Sequence, residues 1–427
     1  MPEYASLSRT ELEELHQKLL ARYAGYQAQR LKLDMSRGKP GADQLDLSLG
    51  MLTCLDGREA CMAEDGTDCR NYGVLAGIPE AKRLFAGMLG VAPDEIIIGG
   101  NSSLNMMYDM MARAMTHGVP GSPTPWCRLP KVRFLCPCPG YDRHFAICEH
   151  FGIDMIDIDM TPDGPDMAAV KRLAESDDSI KGIWCVPQYS NPQGYTYSDA
   201  TVDAFAALKP AALDFRIFWD DAYCVHHLDS HPDHLKNILT ACRQTGRENM
   251  IYIFGSTSKI TFPGAGVAML AASRANVAAI LRDMAAQTIG SDKLNQLRHV
   301  RFFQNMAGIE AHMKRHAALI KPKFDKVTEL FARNFAGTGI ASWTTPHGGY
   351  FISFDGPDGC ARRTVELCRA AGVKVTPAGA TFPYHRDPRD RNIRIAPTMP
   401  PVDELATAIE LFCLCVKIAA VEKRLAA

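Results

Sequence analysis

The sequence predicts an α/β protein, with a mostly parallel central sheet in a large domain and a smaller α+β domain built from both ends of the chain. Three observations carry this expectation. The chain has 427 residues, beyond the size at which a single hydrophobic core keeps growing, so two subdomains are expected. Short apolar runs alternate with helix-length segments, the pattern of strands joined by crossovers. Most of those runs are continuously apolar, as in strands covered by helices on both faces.

The elements follow in order. Ser8 and Glu11 have capping-box spacing, and Leu12, Leu15, Leu19 and Tyr23 continue at helical spacing, predicting a first helix. The segment "LDMSRGKPGADQLDLSLGM" reads as a loop with a short extended piece at Leu45–Leu49. Strands are expected at "EIIIGG" (95–100), "VRFLCP" (132–137), "IDMIDIDM" (153–160), "GIWCVP" (182–187), "FRIFWD" (215–220), "IYIFGS" (251–256) and "VAMLAAS" (267–273). A helical region runs from Arg274 to about Asn334, then "GGYFISFD", "VKVTPAG", "NIRIAPT" and a last helix from about Val402. The expected division is residues 1–54 and 321–427 for the small domain and 55–320 for the large one.

Composition excludes several classes. With 47 basic and 48 acidic side chains, the chain carries no net field to attract nucleic acid or an anionic membrane. No run of about 18 apolar residues is present, and the acidic amphipathic start is unlike a signal peptide. Fourteen cysteines are scattered without a Cys-x-x-Cys pair, which fits small buried hydrophobes in a reducing cytoplasm. The stretch "CVHHLDSHPDH" gathers Cys224, His226, His227, His231 and His234, but in no standard zinc spacing, so no metal is expected.

Open α/β sheets bind ligands beyond the carboxyl ends of their strands, and polar residues follow the apolar runs there. Asn101, Ser102 and Ser103 precede a helical pattern, where free backbone N–H groups suit a phosphate, although a plain serine N-cap explains the same pattern. Tyr141 follows the next run, Asn191 the run at 182–187, Asp220 and Tyr223 the next, and Ser256, Ser258 and Lys259 the last. Singly, each reads as a surface charge, a turn residue or a packing aromatic. Together they meet the needs of pyridoxal 5'-phosphate: an amine for its aldehyde, a carboxylate for its ring nitrogen, donors for its phenolic oxygen, a flat partner and a phosphate cradle.

On these residues, and on "NYGVLAGIPEAKRLFAGMLGV", "NSS", "PGY", "SNPQGYT", "DDAY", "STSK", "GGYF" and "NIRIAPT", the chain resembles the fold-type-I pyridoxal-phosphate aminotransferases over nearly its whole length. "LKLDMSRGKP", "GNSSL", "SKITFPGAGVA" and "DKLNQLRHVRFF" resemble more narrowly the corynebacterial type of bacterial aspartate aminotransferase. The resemblance implies that Lys259 bonds the cofactor and moves protons, that Asp220 partners the ring nitrogen, and that Tyr223 and Asn191 serve the phenolic oxygen. It implies Tyr141 on the ring face, and Asn101, Ser102, Ser103, Ser256 and Ser258 around the phosphate. Tyr72 matches a tyrosine that reaches the neighbouring site of a homodimer, Arg394 the arginine on the substrate's α-carboxylate, and Gly50 a glycine on the substrate side. Asp221 sits where the family varies and is left out of catalysis.

The implied reaction is ping-pong transfer of an amino group between an amino acid, aspartate first, and a 2-oxo acid, 2-oxoglutarate first. A distal carboxylate then needs a second cation, and Arg37, Lys39, Lys293 and Arg298 are the candidates. The departure from the pattern is Gly266, where many relatives carry the arginine of "PG-x-R", so one phosphate partner is left unidentified. The same scaffold also hosts β-decarboxylases and C–S lyases, and a ligand-sensing aminotransferase-like protein is a third reading, though no basic helix-turn-helix precedes the domain.

Overall fold

The computed structural model describes residues 3–426. Thirteen strands appear among them in chain order: β1 Leu33–Asp34, β2 Ile96–Ile98, β3 Arg133–Cys138, β4 Asp154–Thr161, β5 Gly164–Pro165, β6 Ile180–Cys185 and β7 Arg216–Asp220. They continue with β8 Ile251–Ser256, β9 Ala268–Ala272, β10 Ser342–Trp343, β11 Ile352–Asp355, β12 Val373–Lys374 and β13 Asn392–Ile395. Each of the seven long apolar runs in the first two-thirds of the sequence forms a strand of one sheet.

That sheet has eight strands in the order β2-β9-β8-β7-β6-β3-β4-β5. From β8 to β4 all neighbours are parallel. β9 runs antiparallel between β8 and β2, and short β5 closes the other edge antiparallel to β4. The chain leaves β3 toward β4 and returns on its other side as β6, so the strand order reverses between β3 and β6. A crevice opens at such a reversal, beyond the carboxyl ends of the strands. The segments after β3, β6, β7 and β8 all reach that edge.

From β2 through β3 in the sheet order both faces are buried, which is why those strands read as continuous apolar runs, whereas β4 near the edge is largely exposed and its run is broken by acids. Alternate residues point to opposite faces. Leu135, Ile183, Ile217 and Ile253 enter one core with Phe85, while Phe134, Trp184, Phe218 and Tyr252 enter the other. A third core gathers Leu12 and Leu19 of the first helix, Phe331 of the long helix, Ile352 and Phe354 of β11, and Phe412 of the last helix. There β10, β11 and β13 form an antiparallel sheet, and β1 pairs in parallel with β12.

The first helix, Arg9–Ala28, starts with the expected capping box: Glu11 N–H bonds Ser8 Oγ, and Ser8 N–H bonds the Glu11 carboxylate at 2.8 Å. The helical region after β9 is three helices, Arg274–Met284, Lys293–Phe303 and Met306–Phe335, and the last helix is Val402–Ala426. The extended piece expected at Leu45–Leu49 is instead helical, with an α-helix at Ala42–Asp46 and a 3-10 turn at Leu49–Thr53. Gln44 is the cause. Its side chain accepts from Gly41 N–H at 3.0 Å and is fully buried against Tyr350 Oη at 2.9 Å and His316 at 3.2 Å. Those partners lie about 300 residues away in the chain, beyond any local pattern. All fourteen cysteines are unbridged, and ten are buried.

Candidate active site

Two joined cavities lie at the crevice. The inner one, about 120 Å³, is lined by Ser102, Ser103, Tyr141, Asn191, Asp220, Tyr223, Ser256, Ser258 and Lys259. The outer one, about 410 Å³, shares Tyr141, Asn191, Tyr223 and Lys259 with it and adds Arg37, Lys39, Phe351 and Arg394. Lys259 therefore stands on the wall common to both.

Asp220 ends β7, and its register with Phe254 of β8 brings it beside the lysine loop. One carboxylate oxygen, Oδ2, accepts from His144 Nε2 at 3.0 Å. The imidazole is itself stacked on Trp184 at 4.4 Å and 9°. The other oxygen, Oδ1, is buried with no hydrogen-bond partner. A buried carboxylate oxygen left bare in this way is costly unless a donor fills the cavity, and a protonated ring nitrogen is a donor of the right kind. Asp221, next along, has its amide bonded to Phe254 O at 2.8 Å. Burial first, and then the charge of Asp220, push its carboxyl up to about 7.

Lys259 follows β8 in a tight turn held by side chains. Thr257 and Thr261 hydroxyls both bond His299 Nε2, at 3.1 and 2.9 Å. The Lys259 carbonyl lies 3.3 Å from Tyr350 Oη and 3.4 Å from His226 Nε2. Its Nζ sits 5.1 Å from the centre of the Tyr223 ring. Burial lowers the amine's pKa, Arg394 lowers it further, and Asp220 opposes both. An amine desolvated in this way spends more of its time as the neutral base and nucleophile. Tyr141 and Tyr223 keep their phenolic protons, because burial raises both pKa values, so each hydroxyl is a donor.

At the far end of the inner cavity, Ser102 caps the helix Ser103–His117 by accepting from Leu104 N–H at 3.2 Å. Ser256 and Ser258 hydroxyls pair at 3.0 Å. Hydroxyls beside a four-turn helix start make an anion cradle. Asn101 does not line the cavity; its carbonyl lies 3.5 Å from Ser258 Oγ. That carbonyl also explains Gly266, because a Cβ there would stand 2.8 Å from Asn101 O. No side chain fits at this position, so the cradle has no arginine from it.

In the outer cavity, Arg394 on β13 donates from Nη1 to Asp142 Oδ1 at 3.0 Å and to Asn191 Oδ1 at 3.2 Å. Its guanidinium lies over Phe351 at 4.7 Å, and its Nε is buried and unpartnered. The open edge of the fork suits a carboxylate. With Oδ1 occupied, Asn191 has its amide N–H groups left for the inner cavity.

Other expected residues lie elsewhere. Gly50 is exposed in the 3-10 turn near Phe302 and lines neither cavity; Gly38 lines the outer one instead. Tyr72 is 82% exposed and outside both. Lys293 is buried and donates to Gly73 O at 2.9 Å, and Arg298 is likewise away from the outer cavity. Of the histidine-rich stretch, His227 bonds Tyr189 Oη and His234 lies 3.8 Å from Asp199. His144, Asp142 and Arg143 are site residues that the sequence reading missed. Their signal was position alone, within one helical turn of Tyr141 after a strand end.

A lysine and an aspartate at the carboxyl edge of this sheet, faced by an arginine from β13 of the small sheet, fit a transferase of the fold-type-I architecture. The chain belongs to the aspartate amino-transferase family, whose model matches residues 7–427, and it is an aminotransferase. It is 47% identical over 420 residues to a Mycolicibacterium smegmatis protein, 98% of both chains. It is also 40% identical over 430 residues to an aspartate aminotransferase of Corynebacterium glutamicum, 99% of both chains. The solved structure of an aspartate transaminase from that organism superposes with a TM-score of 0.95 at 40% identity, over 98% of this chain and 99% of the other. Among the described residues no helix is long and apolar enough to cross a membrane.

Proposed function

We propose that this chain is a pyridoxal-phosphate-dependent aminotransferase that moves the amino group of aspartate to 2-oxoglutarate in two half-reactions. The observation that carries the proposal is the shared wall: Lys259 lines the inner cavity beside Asp220 and the outer cavity beside Arg394. The inner donor set fits the cofactor. Asp220 Oδ1 would hold its ring nitrogen, Tyr223 and Asn191 its phenolic oxygen, Tyr141 its ring face, and Ser102, Ser103, Ser256 and Ser258 its phosphate. When bound, the cofactor supplies an electron-withdrawing ring that spreads the charge left at the substrate's α-carbon.

The protein's own part is binding, orientation and proton transfer. The open edge of Arg394 grips the α-carboxylate and turns the Cα–H bond toward Lys259. Lys259 Nζ, whose pKa burial lowers, removes that proton as a general base and gives a proton back as a general acid. His144 fixes the Asp220 carboxylate so that its charge is already in place when the electron demand arises. Reversal with a second 2-oxo acid returns the enzyme to its starting state.

Residues 55–320 are taken as the large domain, and 1–54 with 321–427 as the small one, a reading supported by a third core drawn mostly from the two ends of the chain. The enzyme is taken to be a cytoplasmic homodimer. The unbridged cysteines support the compartment. Exposed Tyr72, Leu52, Leu49 and Ile289 support an interface through which Tyr72 reaches the neighbouring site.

The test is an absorbance spectrum of the purified protein with pyridoxal phosphate. A near-ultraviolet to visible band that vanishes in Lys259→Ala and shifts on adding aspartate supports the proposal. A band indifferent to a panel of amino acids refutes it. So does release of CO₂ or pyruvate from a single substrate without an acceptor.

A further inference from the structure

The single turn that carries Lys259 closes on Thr257 O, which accepts from the Ile260 and Thr261 N–H groups, each at 2.9 Å. Its own last carbonyls, Lys259 O and Ile260 O, accept from no backbone N–H among the described residues. Buried carbonyls of this kind must find partners elsewhere. Side chains from three separate elements reach them. Tyr350 Oη stands 3.3 Å and His226 Nε2 3.4 Å from Lys259 O, and His312 Nε2 of the long helix stands 2.8 Å from Ile260 O.

Tyr350 is the partner whose contacts lead furthest into the site. Gln44 Oε1 accepts from Gly41 N–H at 3.0 Å, so its Nε2 donates to Tyr350 Oη at 2.9 Å. The one hydroxyl proton of Tyr350 is thereby left for Lys259 O, and burial raises the phenol's pKa, so the proton stays in place. The Tyr350 ring is stacked with Tyr223 at 6.2 Å and 25°, and His226 stands edge-on to both rings at 5.6 Å. Gln44, Tyr223, His226 and Tyr350 are all buried. Burial keeps His226 neutral, and its Nδ1 has no partner, so Nε2 is the nitrogen that serves the carbonyl. Tyr350 and His226 line neither cavity. Whatever they do for the chemistry passes through Lys259 and Tyr223.

We propose that Tyr350 is a positioning residue for Lys259: oriented by Gln44, it donates to the lysine's carbonyl and so sets where Nζ stands on the wall between the two cavities. His226 is the second donor to the same carbonyl. The proposal rests on the reading of Lys259 as the cofactor lysine and adds the groups that hold it. A lysine that must reach both a cofactor and a Cα–H bond is sensitive to its starting point, because a misplacement of about 1 Å can cost about 10²-fold.

Tyr350→Phe keeps the ring on Tyr223 and removes only the hydroxyl. Loss of one neutral hydrogen bond corresponds to a change of about tenfold or less. In the cofactor-loaded variant kcat for aspartate is therefore expected to fall about five- to tenfold, with KM within about twofold of wild type, since Arg394 is untouched. The pH midpoint of the near-ultraviolet to visible band should rise by about half a unit, because a loosened turn admits water to a nitrogen whose charged form burial disfavours. In the apoprotein, hydrogen exchange at the Ile260 and Thr261 amides should quicken about threefold or more. Gln44→Met should move the same three quantities in the same direction and add little in the Tyr350→Phe background, since both act through one bond. If kcat, the band midpoint and exchange in Tyr350→Phe all match the wild type, the proposal is overturned, whatever the melting temperature does. A rise in KM with kcat unchanged overturns it too, because it places Tyr350 on the substrate. Both outcomes leave the aminotransferase reading intact. A wild type that forms no band with pyridoxal phosphate overturns the cofactor reading and this proposal with it.

Discussion

His144 Nε2 donates to Asp220 Oδ2 across 3.0 Å, and the same carboxylate presents its second oxygen, buried and bare, to the inner cavity. The Trp184 indole against which the imidazole lies fixes the plane of this pair. Asp220 is thus oriented by a neighbour that cannot swing away, and the free oxygen is aimed before any ligand arrives.

Asp220→Asn keeps the shape and removes the charge. Single preorganised electrostatic groups of this kind contribute about 10²–10³ in kcat, and a loss of that order is expected. His144→Ala should cost less, about tenfold, because the charge survives but loses its fixed position. Steady-state kinetics on both variants, with cofactor content measured by absorbance, separates the two effects.

Gly266→Ala brings a methyl group to within 2.8 Å of the Asn101 carbonyl, so the loop before the helix Ser103–His117 must move. Cofactor affinity is expected to fall about tenfold, since that helix start and its hydroxyls are the proposed phosphate cradle. Gly266→Arg should be worse, despite adding a cation. Titration of the apoprotein with pyridoxal phosphate reports both.

Arg394→Lys retains a charge but loses the two-point grip of the guanidinium. KM for the amino donor should rise about 10- to 100-fold, with the near-ultraviolet to visible band retained. An unchanged KM would remove Arg394 from the carboxylate site.

Acid stability follows from the buried histidines. Burial chiefly holds the His299 imidazole at about 4, and it is donated to by two threonines through Nε2. Its folded pKa lies below the ordinary 6.5, so between those values the unfolded chain binds more protons. Stability is therefore lost as pH falls from about 6.5 toward 4. The single group corresponds to about 2 kcal/mol by pH 5. His316, also held at about 4 by burial and by His312, acts in the same direction. Urea unfolding at pH 7 and pH 5 should show a smaller pH-induced loss in His299→Gln than in the wild type.

How much of this was legible in the sequence depended on how far the causes lie along the chain. The seven long runs of the large sheet announced themselves, most of them because both faces are buried, whereas two-residue β1, β5 and β10 are too short to leave a pattern; the residues after the strand ends fell together because one sheet edge collects them. The helix at Ala42–Asp46 did not, because Gln44 is held by Tyr350 and His316. Gly38 was overlooked in favour of Gly50 because the reason for it, the Phe351 ring, lies just before β11, more than 300 residues on. His144 was within reach, three positions beyond Tyr141. Its partner across the sheet was not visible in any local pattern.

The bonds from Arg394 to Asp142 and Asn191 span 252 and 203 positions. During synthesis the sheet strands and Lys259 therefore emerge while Arg394, the proposed substrate arginine, is still untranslated. For that interval the nascent chain carries the proposed cofactor lysine without the arginine proposed to hold an amino acid. The order of the residues along the chain delays catalytic competence until nearly the whole protein exists.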